Sequence, residues 1–436
     1  MTGSSSAATK LPPRGLPFVY FGFAHLCLLV ALSAVTLDPR GVAGFFYHDR
    51  ILAVVHLITL GWISSSILGS LYIVGPVALR TPLPATRLDR WAAALVIVGV
   101  SGMVSHFWLS EFTGMAWSGG MVAAGFTLVA TRVVPPVLRA PIAVAVKLHV
   151  ALAFFNILGA ACAGVLLGFD KAYHFLPGFV LANVFAHAHL AALGWATMLV
   201  MGVAYRMLPM VLPSAVPSGP MPLVGAVLVQ IGTVGLFVTL IARSPWSLLF
   251  GTIAVLGLLT FLTRIGWMLR HRRSAPPAHP HPDHSVWHAL VAFGYLGLGM
   301  TVGLTLLVAE PTEWTLRAAL AYGVFGLVGF LAQLIVGIEM RLLPLLAWYW
   351  EFAGTNFEGP TMSPHAMPDR WLQGLTFYLW LVGVPAVAGG LFLDATTMLA
   401  AGALALLLGT TSATLNVALV LRRAVRAGRP SARPLS

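Results

Sequence analysis

Histidines inside long apolar runs are the residues of this sequence with the clearest capacity for chemistry. Of its fourteen histidines, His25, His56, His106, His149, His187, His189 and His288 fall within such runs. A metal-ligating or ionisable side chain in a lipid-embedded helix is costly, and so is a functional-site candidate by default. Each has a plain reading too, as a satisfied packing or interfacial histidine. Shared depth separates some from the rest, because His56, His106, His187 and His189 come out in one layer towards the face opposite the termini. Neutral imidazole is the usual nitrogen donor to haem iron and to copper, so four at one depth point to a metal cofactor. His187 and His189 are two residues apart, hence about 200° around a helix. They face opposite sides and do not suit one metal together. The expected axial pair is His56 with one of His187 or His189; His106 and His25 are the next candidates, followed by His149.

Other polar groups have quieter readings. Trp62, Trp195, Tyr205 and Tyr322 could line a cofactor pocket, although aromatics in membrane helices more often pack or form interfacial belts. Glu339, near Arg341, and Glu111, just beyond His106, could serve proton transfer, with an interfacial carboxylate paired to a neighbouring cation as the favoured expectation. His271, His279, His281 and His284 stand among prolines in a stretch that reads as a solvated linker with some capacity for metal. Cys27 and Cys162 read as small buried hydrophobes. No Cys-x-x-Cys-His haem attachment, phosphate loop or dinucleotide glycine motif occurs.

The elements that must hold these histidines are membrane helices. Hydrophobic residues make up 58% of the 436 and charged ones 9%, against about 25% charged in soluble domains. Spanning segments need about 20 apolar residues and internally satisfied backbone, which selects helices. Apolar runs broken by Pro, Gly and charge give spans near 16–36, 51–75, 91–110, 114–134, 145–169, 179–208, 221–242, 246–269, 287–309, 317–343, 371–393 and 397–421. The expected organisation is therefore a leader over 1–15, a twelve-helix all-α membrane domain over 16–421 and a basic tail over 422–436. The leader shows no secretory cleavage site, so the first span is expected to stay. Twenty of the 25 Lys and Arg residues fall on the termini side of an even-numbered bundle and five on the other. That asymmetry predicts both termini in the cytoplasm of a bacterial-type inner membrane. The formal charge of +12 accordingly reports orientation, not nucleic-acid binding.

An internal repeat organises the twelve. His56-Leu57-Ile58-Thr59-Leu60-Gly61-Trp62 matches His189-Leu190-Ala191-Ala192-Leu193-Gly194-Trp195, and Gly69, Tyr72 and Pro76 continue in register with Gly202, Tyr205 and Pro209, eight identities in 21 positions. A third copy begins at Val324, where Gly329, Gly337 and Pro344 take the same places and Arg341 matches Arg206. Steps of 133 and 135 residues are four spans each. Spans two, six and ten are thus expected at the centre of three four-helix arcs (about 16–134, 145–269 and 287–421) around a pseudo-threefold axis.

Twelve spans in three arcs, the phrase His56 to Trp62 and the run His187-Ala188-His189 to Pro209 resemble subunit I of the haem–copper oxidase superfamily. The sequence is similar above all to the subunit-I-like proteins near the cbb3-type oxidases and nitric oxide reductases, and also to the NnrS family of twelve-span haem and copper proteins. That resemblance implies b-type haem, with copper as a second candidate, and cytochrome c or another electron donor as partner. It makes His56 the counterpart of the low-spin haem ligand and a histidine of span six the counterpart of a copper ligand. The family's histidine pairs on spans seven and ten have no equivalent here, since 221–242 and 317–343 contain no histidine. The usual copper site and proton-pumping oxygen reduction are not expected. The function implied is that of a haem-binding membrane protein engaged in electron transfer or nitric oxide or oxygen chemistry. Its rivals are a non-enzymatic protein that binds, senses or moves haem, copper or gas, and a secondary transporter, though the repeated glycines do not mark the broken helices usual in transporters.

Overall fold

The computed structural model describes residues 12–13, 15–44, 46–216, 218–274, 279–353 and 362–427; most of the leader and tail lies outside them. Among the described residues the chain is helical, with an isolated bridge between Ser214 and Arg272 and no strand. Twelve helices are long and apolar enough to cross a membrane: Leu16–Leu37, Asp49–Val77, Arg87–Trp108, Phe112–Arg139, Val144–Tyr173, Val180–Val211, Met221–Ile241, Ser247–Arg270, His284–Val308, Glu313–Phe352, Arg370–Phe392 and Thr396–Arg426. They are called spans one to twelve. The chain is a multi-pass membrane protein, and its exposed Trp91 and Trp371 at one level and Trp108, Trp117, Trp246 and Trp314 at the other form the two aromatic belts expected at bilayer interfaces.

Span ten differs most from its expected length. A proline after residue 343 should stop the helix there, yet Pro344 sits inside a helix that continues to Phe352. Pro76, Pro209 and Pro385 are likewise internal. Neighbouring helices and local adjustments of the hydrogen-bond ladder satisfy the freed carbonyls, so proline bends a membrane helix without ending it. Cys162 also departs from expectation. Cys27 is buried, but Cys162 is exposed on the outside of the bundle, and both are free thiols.

The repeat reappears as backbone geometry. Each central span contains eight residues of π-helix at the same place: Leu57–Ser64, Leu190–Thr197 and Phe325–Ala332. The amides of Ser65, Met198 and Gln333 close these segments on Leu60, Leu193 and Val328, five residues back. Such i→i+5 stretches are rare and concentrate at functional sites.

Here they also align the packing. Gly61 and Gly69 are eight residues apart, which would leave them about 80° out of line on a regular α-helix. The slower turn of the π segment brings both against span one, where added Cβ atoms would lie 2.5 Å from Cys27 Cβ and 3.0 Å from Tyr20 Cβ. Gly194 and Gly202 meet Asn156 and His149 of span five in the same way, and Gly329 and Gly337 meet Tyr295 and His288 of span nine. Each arc is therefore a first helix laid onto the glycine face of its second.

A Cβ at Gly202 would sit 2.5 Å from His149 Cβ, so the whole of span five must move to accept it. Gly202→Ala should cost about 1–3 kcal/mol, the usual range for overpacking, read as a lower unfolding temperature in detergent. Gly266→Ala, with nothing within 4 Å, should not. Equal unfolding temperatures for the two would contradict this account of the arcs.

Candidate cofactor site

Spans two to six, from arcs one and two, with Leu327 and Leu331 of span ten, enclose a largely apolar cavity with about 1320 Å³ of empty space, part of it open to the surroundings. Two of its lining residues are His56 and His187. His56 ends the α-helical first part of span two, just before the π segment, and its Nδ1 donates to the Leu52 carbonyl at 2.7 Å. With the proton of the neutral ring on Nδ1, the lone pair of Nε2 is left for a ligand. Holding the non-ligating nitrogen on a carbonyl in this way is how metal-bound histidines are oriented. Phe107 of span three stacks on the His56 ring at 5.1 Å between centroids.

His187, from span six, lies on Gly164 of span five, where a Cβ would come within 3.0 Å of the imidazole. Gly164 belongs to a wall of small residues, with Gly168, Ala160 and Ala161 from span five and Gly119 and Ala116 from span four. Small side chains let a flat group approach the backbone closely. Trp195 lines the cavity too, and its Nε1 donates to Ser64 Oγ at 3.1 Å, tying arc two to arc one. The polar end is formed by Tyr47 and Lys171. The Lys171 ammonium lies 3.0 Å from Asp49 and 4.0 Å over the Tyr47 ring. Burial, reinforced by Asp170 and Asp49, pushes the Tyr47 hydroxyl up to about 12, so it stays a protonated donor at neutral pH.

The remaining candidate histidines are placed elsewhere. His189 donates from Nδ1 to Phe185 O at 2.7 Å and meets the Tyr322 hydroxyl through Nε2 at 3.1 Å. It faces arc three while His187 faces the cavity, because both precede the π segment and two α-helical residues set them about 200° apart. Tyr322 is thus the partner of His189. His106 donates to Gly102 O at 2.6 Å, and its ring is pressed on Gly114 of span four. His149 bonds Ala145 O and packs edge-on to Tyr205.

His25 Nδ1 bonds Thr414 Oγ1 at 2.8 Å, and its Nε2 lies 3.2 Å from a Glu339 oxygen without forming a hydrogen bond. The other oxygen of Glu339 accepts from Ser66 Oγ at 3.1 Å. The expectation of an interfacial Glu339 beside a neighbouring cation is therefore replaced. Glu339 is 6% exposed and pairs with His25 of span one, while Arg341, two residues on, points away to Asp283 and His365.

Among the described residues no three His, Cys, Asp or Glu side chains converge as a metal-binding group. Two imidazoles are enough for a ligand that brings its own equatorial donors. A porphyrin does so, since it supplies the other four nitrogens to its iron. No family model matches this chain, and no curated protein matches it.

Proposed function

We propose that this protein binds a b-type haem between arcs one and two, with His56 and His187 as axial ligands, and that it carries electrons within the membrane. The single observation that carries this proposal is the pairing of these two imidazoles, from two central spans, on one apolar cavity walled by glycine and alanine. Haem supplies a reversible one-electron couple, tuned by its axial ligands and by burial. The chain's own part would be to hold the group through His56 and His187 and to keep water away from it. Lys171 and the Tyr47 hydroxyl, at the polar end, suit the carboxylate side chains of such a group. Two imidazoles holding such a group would leave its iron no free position for nitric oxide or oxygen, which would favour electron transfer over turnover. A cytochrome c or another one-electron donor is the corresponding partner, and the resemblance to haem–copper oxidase subunit I supports the same cofactor.

Optical spectra of the purified protein decide it. A reducible haem band is expected, and a colourless protein that stays so after haem supplementation would exclude the proposal.

The same proposal places the chain in the cytoplasmic membrane with both termini inside. A C-terminal green fluorescent fusion should then glow and an alkaline phosphatase fusion at the same point should be inactive. The reverse pattern would invert the topology and put the His56 layer on the inner side.

A further inference from the structure

At the other level of the bundle, on the face where span one begins, two histidines stand one turn apart at the start of span nine. His284 is 7% exposed and His288 is fully buried. Both nitrogens of His288 and Nδ1 of His284 are buried without a hydrogen-bond partner. Buried polar atoms are paired in the great majority of cases, and three unpaired in one place carry the desolvation penalty of a stranded group three times over. Both rings lie against Phe377 of span eleven, His288 at 5.2 Å and His284 at 5.9 Å between centroids, and His284 Nε2 faces Gly374, where a Cβ would be 3.5 Å away. Trp287 and Tyr378 also border His284, at 5.4 and 6.4 Å between ring centroids, but neither bonds these nitrogens.

The repeat identifies a third group. His288 under Gly337 takes the place of Tyr20 under Gly69 and of His149 under Gly202. In the first two arcs that residue meets a tyrosine ring, Tyr72 at 6.4 Å and Tyr205 at 5.6 Å. The same steps along the sequence put Met340 in the third arc, a thioether where the others have a phenol; it lines a small cavity with His25, Glu339 and Gln373, the residue before Gly374. Histidines at i and i+4 on one helix can share a metal, and thioether with imidazole in a buried setting selects soft monovalent copper. Arg341, next to Met340 in the chain, is neutralised by its ion pair with Asp283, so its charge does not oppose a bound cation.

We infer that His284, His288 and Met340 form a site for Cu(I), separate from the cavity of His56 and His187. The site does not rest on haem binding, and the two are read by different signals.

The test is Cu(I) binding by the purified full chain under reductant, measured against a chromophoric Cu(I) chelator, together with X-ray absorption at the copper edge. The wild type should retain one more Cu(I) per chain than His284→Ala or His288→Gln, with the haem band unchanged. The wild-type copper shell should contain imidazole nitrogens and one sulfur, and Met340→Leu should remove the sulfur alone. Equal copper in wild type and both histidine variants would overturn the inference, as would copper lost on His56→Ala or His187→Ala instead. Should a variant fail to insert, the wild-type shell decides by itself, and one without sulfur refutes the site.

Discussion

His56→Ala should leave the protein inserted in the membrane and reduce its haem content at least about tenfold, which corresponds to about 1.4 kcal/mol or more of lost affinity. The substitution removes one of two iron bonds and also the ring stacked on Phe107, and nothing else in that wall carries a nitrogen at this place. His187→Ala should have the same effect from the other side of the cavity. His189→Ala should not, although it is the residue that the repeat aligns with His56, because its Nε2 is spoken for by Tyr322. His106→Ala and His25→Ala should also retain the spectrum, since their rings engage Gly102, Gly114, Thr414 and Glu339 away from the cavity. Spectra and haem extraction of the five variants provide the measurement. Should His189→Ala bleach the protein while His187→Ala does not, the cofactor would lie between arcs two and three. If all five keep the parent spectrum, these imidazoles serve packing alone.

This distinction between His187 and His189 is half legible in the sequence. Helical periodicity separates the two rings by about 200°, but it does not say which of them turns towards span two, and the choice is fixed by Gly164 on span five and Tyr322 on span ten. The spans themselves follow from hydropathy, because lipid imposes one constraint on every segment. The repeat follows from His56, His189 and the glycines in register with them. The π segments leave a trace only as the repeated run from Leu57 to Trp62, since no residue type demands that geometry and it arises from packing two glycines onto one neighbour. Span ten shows the opposite failure, where Pro344 carries a strong local signal that tertiary packing overrides. Least legible of all is the partner of Glu339. Its neighbour in sequence is Arg341, yet its neighbour in space is His25, brought from the first span by closure of the third arc onto the first.

That closure gives the second large expected effect. Glu339, His25, Ser66 and Thr414 come from spans ten, one, two and twelve, and their side chains join in one buried chain of contacts of 2.8–3.2 Å. Glu339→Ala should destabilise the protein by about 3–5 kcal/mol, because removing one partner of a buried pair strands the other. Ser66 Oγ would lose its acceptor and His25 Nε2 the carboxylate beside it, and little water can reach them. Glu339→Gln retains an oxygen for Ser66 and should cost markedly less. The pair need not be worth much in itself. Burying the two polar groups offsets most of their attraction, so replacing both together by apolar residues of similar volume, as in His25→Leu with Glu339→Met, should be close to neutral or stabilising. Thermal unfolding of the four proteins in detergent checks this. A Glu339→Ala variant as stable as the wild type would show that His25 and Glu339 do not depend on one another. A double variant less stable than Glu339→Ala would show that the seam between arcs three and one is held by the pair itself and not by the apolar packing of spans one, ten and twelve around it.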